Sequence, residues 1–95
     1  MVSVITTAEL LDYVREDNPD ETAVNQIELM RKAAIGYMTS YTGQTAEYLD
    51  EHEEFDAVLM VLVADMYDNR SLTVDSDKQN PFVMSVLDMH RVNLL

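Results

Sequence analysis

The chain has 95 residues, about half of them apolar, with 18 acids against 6 bases and a formal net charge of −12. That length sets a single domain (residues 1–95) with a thin core. The acid excess excludes an ordinary nucleic-acid surface, which needs a basic face to neutralise phosphates, and attachment to an anionic membrane. Without cysteine there is no disulfide, thiolate metal site or cysteine nucleophile.

Met1-Val2-Ser3-Val4-Ile5 lacks the basic region and long apolar core of a signal peptide. The longest apolar run, from Ala57 to Ala64, is eight residues and too short to span a bilayer. These features predict a protein made and used in a reducing cytoplasm. Thr6-Thr7-Ala8-Glu9 reads as a capping box opening a short helix to about Arg15, with Leu10, Leu11 and Val14 on one face. Asn18-Pro19-Asp20-Glu21 is a second start signal, with a cap, proline at the first helical position and acids in the first turn. The second helix is expected from Pro19 to Thr42, stopped by Gly43 as a left-handed cap. Ala23, Ile27, Met30, Ala34, Tyr37 and Tyr41 form its apolar stripe. At about 36 Å it would be the spine of the molecule.

Residues 44–50 read as a connection with a helical turn. Glu51, Glu53, Glu54 and Asp56 are expected in the first turns of a third helix, where the helix dipole favours negative charge. From Ala57 to Ala64 that helix is apolar on nearly every side, which marks it as the buried centre. It closes on Met66-Tyr67-Asp68-Asn69-Arg70. Residues 71–80 are expected to form an extended loop or a hairpin arm, and Asn80-Pro81 restarts a short last helix. Phe82, Val83, Val86 and Leu87 are expected to point inward, and the helix ends at His90-Arg91. Val92 to Leu95 is an apolar tail. The fold expected is all-α: a bundle of about four helices, with a long second, a buried third, and short first and last.

Little in this pattern supports catalysis, and the protein reads as neither an enzyme nor a cofactor carrier. Asp75-Ser76-Asp77 superficially opens a calcium loop, but Asn80 stands where glycine is needed and Val86 where a bidentate glutamate is needed. His52 and Asp56 lie one helical turn apart, yet one imidazole and one carboxylate fall short of a zinc site. His90 reads as a packed residue or a partner of the helix C-terminus. Most methionines stand at core spacings as flexible filler, while Met84 and Met89, beside the tail, are candidates for an adaptable interface. Arg70 and Arg91 each end a helix, where a cation is favoured. They are alternatively placed to pair with acids of a neighbouring subunit.

An apolar lead before Thr6 with Glu9-Leu10, a long helix running through Tyr37 to Tyr41-Thr42-Gly43, and an apolar helix from Val61 to Tyr67 with Asn69-Arg70 follow one another. Pro81-Phe82 with Leu87 and Arg91 closes the series. This order resembles the small head–tail connector (adaptor, or head-completion) family of long-tailed bacteriophages, over almost the whole chain. The resemblance implies a strand-like N-terminal lead and a structural virion protein of the neck, assembled in the host cytoplasm. It implies a homo-oligomeric ring of about twelve copies below the portal protein, extending the DNA channel. Such a ring helps retain packaged DNA, passes it without sequence-specific binding, and docks a downstream neck or tail-completion protein. His90 stands where the family often has tyrosine.

On this reading the candidate subunit or portal contacts are Arg70, Met84, Met89, Arg91, Val92, Leu94 and Leu95. Candidate channel-facing acids are Glu47, Asp50, Asp75 and Asp77, whose repulsion would keep DNA from adhering. Charge alone fits a different class equally well: an acidic helical interaction protein or inhibitor, resembling DNA to a basic partner.

Overall fold

A computed structural model describes residues 1–14, 20–69 and 80–92. The protein is all-α, with no strand among the described residues. A 3-10 turn at Val2–Val4 leads into α1 (Thr7–Tyr13), α2 (Glu21–Thr42), α3 (Ala46–Asp50), α4 (Glu54–Asn69) and α5 (Pro81–His90).

Local chemistry explains most helix starts. Thr6 caps α1 by accepting the Glu9 N–H at 3.1 Å, while its own hydroxyl donates to the Glu9 carboxylate at 3.3 Å. The expected capping box is therefore met on its threonine side, with the glutamate turned to the hydroxyl. Thr45 accepts from the Tyr48 N–H at 3.1 Å and starts α3. Asn80 accepts from the Phe82 N–H at 2.8 Å, and Pro81 follows at the first position of α5. For α2 the cap is Asp20, not Asn18: its carboxylate takes the Ala23 N–H at 2.8 Å, so the helix begins at Glu21. Asn18 and Pro19 lie outside the described residues.

Three further expectations are corrected. The lead is a 3-10 turn rather than strand-like, with Val2 and Ile5 buried. Arg31 donates to the Ser3 carbonyl at 3.2 Å and helps hold it down. Residues 46–50 form a full helix, so Glu51 caps α3 and only Glu54 and Asp56 stand in the first turn of α4. The stripe of α2 continues through Met38 and Thr42, which are fully buried; Tyr37 and Tyr41 lie on its flank.

The core gathers around α4. Phe55, Val58, Leu59, Leu62, Val63, Met66 and Tyr67 are buried, facing Ile27, Met30, Ala34 and Met38 of α2. Leu10 and Leu11 of α1 and Val83, Val86 and Leu87 of α5 complete it. Each large side chain withdrawn from water contributes about 1.5–3 kcal/mol. α4 packs against α1, α2, α5 and the N-terminal turn, which is why its sequence is apolar on so many sides.

The two glycines are opposites. Gly43 has φ +73° and sends its N–H to the Thr39 carbonyl at 2.9 Å, ending α2; a Cβ there would meet Val92 Cβ at 3.4 Å. Gly36 lies inside α2, and a Cβ added to it would have open space around it. Gly43→Ala should therefore destabilise by roughly 1–2 kcal/mol, whereas Gly36→Ala should stabilise the monomer by up to about 1 kcal/mol. Paired urea titrations at a concentration where the chain is monomeric check both signs.

Candidate interaction surface

Helix α5 carries the candidate surface, and its orientation follows from its inner residues. Val83, Val86 and Leu87 are buried, spaced by three and four. At about 100° per residue, Phe82 and Met89, seven apart, then share one flank of the helix. Phe82 is 46% exposed and Met89 75% exposed. The expectation that Phe82 points inward is thus corrected: the inner face is complete without it. Met84 is half-buried on the opposite flank, about 140° round the helix from Met89, so those two methionines do not form one patch.

The C-terminal end of α5 is pinned to the end of α2 and to the α3–α4 corner. Tyr41 donates to Asp88 Oδ1 at 2.6 Å, and the Arg91 guanidinium lies over the Tyr41 ring, 5.0 Å from its centroid. Gln44 Nε2 donates to the His90 carbonyl at 3.0 Å. The Val92 N–H donates to the Thr42 carbonyl at 2.8 Å. Thr42, fully buried, donates its hydroxyl to the Met38 carbonyl at 2.6 Å and accepts from the Gln44 N–H at 3.2 Å, so its polar atoms are satisfied. The start of the apolar tail is therefore fastened to its own chain at Val92.

His90 is the central pin. Its Nε2 sits 2.6 Å from Glu54 Oε1, and its Nδ1 2.8 Å from the Tyr48 hydroxyl. An ionised carboxylate only accepts, so Nε2 carries hydrogen; Nδ1 then accepts from Tyr48 when the ring is neutral and donates to it when charged. Both charge states keep both bonds. Around His90 stand Phe55 (ring centroids 4.8 Å apart) and His52 (4.7 Å). His52 stacks on Tyr48 at 4.3 Å and donates Nδ1–H to the Tyr48 carbonyl at 2.9 Å. This is a packed aromatic junction. Asp56, the suggested metal partner of His52, instead pairs with the Met1 ammonium at 2.7 Å. No group of three or more metal-ligating residues is found among the described residues.

Of the remaining candidates, Glu47 is exposed in the first turn of α3. Asp50 is half-buried and engaged: it accepts from the Ser3 N–H at 2.9 Å and the Ser3 hydroxyl at 2.7 Å, which hold its carboxyl below the usual range. These bonds strap the N-terminal turn to the end of α3. Arg91 is exposed, and Val92 borders it. Arg70, Asp75, Asp77, Leu94 and Leu95 lie outside the described residues. Phe82, not among the candidates read from the sequence, shares the exposed flank of Met89, as their seven-residue spacing allows.

No family model, curated protein or solved structure matches this chain.

The junction also sets a pH dependence. The Glu54 carboxyl is held low, first by its own backbone N–H and next by the His90 ring. A lowered folded-state pKa contributes stability that is present above the unfolded value of about 4.3 and is lost as the pH falls through the lower folded value. Asp50 acts in the same sense. Glu54→Gln should leave a shallower acid limb in a series of urea midpoints from neutral pH downward. An acid limb identical to that of the parent chain would remove Glu54 from this role. The Tyr41 phenol is held high, chiefly by its bond to Asp88, and stays a donor through neutral pH.

Proposed function

We propose that this chain is a structural subunit that assembles with copies of itself into a ring at the neck of a long-tailed bacteriophage, beneath the portal. The observation that carries this reading is the outer flank of α5. Phe82 and Met89 expose apolar surface on a strongly acidic protein, and the adjoining Asp88 is occupied by Tyr41. Apolar surface held on a pinned helix serves a protein partner better than solvent. The order of elements also supports it: a threonine-capped short helix, a long helix ended by Tyr41-Thr42-Gly43, an apolar helix, and a proline-led last helix with Arg91 at its cap. In this role the α5 flank and Arg91 meet the portal or the next neck protein. The acid excess keeps passing DNA from adhering.

A second reading has its own observation. Residues 47–68 carry eight acids and no base, a surface suited to a basic protein partner bound by a monomer or dimer. Assembly separates the two. Native mass spectrometry with negative-stain imaging, on the chain alone and with its candidate portal, should show a ring of about twelve copies. A monomer or dimer that ignores the portal would favour the acidic-mimic reading. Within the ring reading, Met89→Asp should leave the monomer's helical circular dichroism intact and abolish portal attachment.

A further inference from the structure

The outer side of α2 has a stripe that is left exposed among the described residues. Asn25, Leu29, Lys32, Gly36 and Ser40 recur at spacings of three and four, fall on one side of the helix, and are all exposed, Leu29 at 53%. Two independent features single this stripe out. The first is charge. Residues 22–46 hold one acid, Glu28, against Arg31 and Lys32, a net +1 in a chain of −12. Glu28 is itself occupied, taking the Thr7 hydroxyl at 3.1 Å and Arg31 at 3.2 Å.

The second feature is Gly36. It sits in a helix interior, where glycine is unfavourable, and neither a positive φ nor a crowding neighbour requires it. A bare patch on an exposed helix admits the backbone of another molecule at close range. The charge identifies that molecule: a second copy brings a large acid excess, concentrated at the corner between α3 and α4. There Glu47, Glu51 and Glu53 are exposed, while Asp50, Glu54 and Asp56 are engaged within the chain.

We propose that the Leu29–Lys32–Gly36 stripe of one copy receives the Glu51–Glu53 corner of the next, with Lys32 facing those acids. This inference rests on the self-assembly reading and gives it a subunit contact. The two surfaces differ, so copies can join head-to-tail around a ring, whereas a two-fold dimer would have to seat both contacts reciprocally between the same two copies. A two-fold pairing of the stripes would also bring Lys32 toward its own copy.

The test is sedimentation of the full chain at low salt, up to millimolar concentration. Gly36→Leu replaces glycine with a better helix former in open space, so the monomer should keep its helical spectrum with a raised Tm while association weakens by at least about tenfold. Lys32→Glu should weaken association similarly, and combining it with Glu51→Lys and Glu53→Lys should restore it. If the parent chain associates and Gly36→Leu and Lys32→Glu leave it unchanged, this contact is wrong and the self-assembly reading stands. Single-cysteine variants in this cysteine-free chain add a geometric check. Cross-linking of Leu29→Cys to itself, but not to Glu51→Cys, would overturn the head-to-tail arrangement. A parent chain that stays monomeric both alone and with its candidate portal would overturn both readings.

Discussion

The constraint on which the rest depends is the carboxylate surplus, because 18 acids on 95 residues must each be hydrated or paired while a core is built beneath them. The chain meets this by concentrating its apolar residues in α4 and on the facing stripes of α1, α2 and α5. Acids close to the packed elements are given donors: Asp50 by Ser3, Asp56 by the chain's ammonium group, Glu54 by His90, and Asp88 by Tyr41. Elsewhere the surface repels copies of itself over roughly a Debye length of about 8–10 Å. Close approach is therefore least opposed where free carboxylates are sparse, along the flank of α5 and the outer stripe of α2.

The seam between α5 and the end of α2 converts that charge distribution into a presented surface. Tyr41, Thr42 and Gln44 follow one another at the end of α2, and each holds a different part of the α5 terminus: Asp88, the Val92 N–H and the His90 carbonyl. Gly43 makes this possible, because its left-handed conformation turns the chain where Val92 packs. His90 adds a hinge-free anchor to α3 and α4 through Tyr48 and Glu54. A surface fixed in this way would lose little conformational entropy on binding.

The same seam changes how the histidines are understood. In the sequence, His52 stands near Glu53, Glu54 and Asp56 and invites a metal. In the folded chain the ring donates to a backbone carbonyl and stacks on Tyr48, while Asp56 turns to the N-terminus. Neighbours along the chain are thus sent to different partners, since His52 lies in the corner between α3 and α4 and not on the helix that carries Asp56.

Read alone, the sequence determined the all-α fold, most helix boundaries, the Gly43 stop and the central place of α4. These are local matters: capping side chains, a backbone conformation open to glycine, and an apolar run long enough to need cover on several sides. It did not determine which side of each helix is covered. Phe82 and Val83 are adjacent apolar residues with equal claim to the core, as are Tyr37 and Met38. Only the angle at which α5 and α2 meet α4 buries Val83 and Met38 and leaves Phe82 outside. Likewise, Thr6 and Asn80 act through the nearest N–H groups and are legible in sequence, whereas the choice of Asp20 over Asn18 as the cap of α2 was not, and the partners of His90 and Asp50 lie dozens of residues away. Periodicity specifies that a helix has an apolar stripe, and the neighbouring helices decide where that stripe begins and ends.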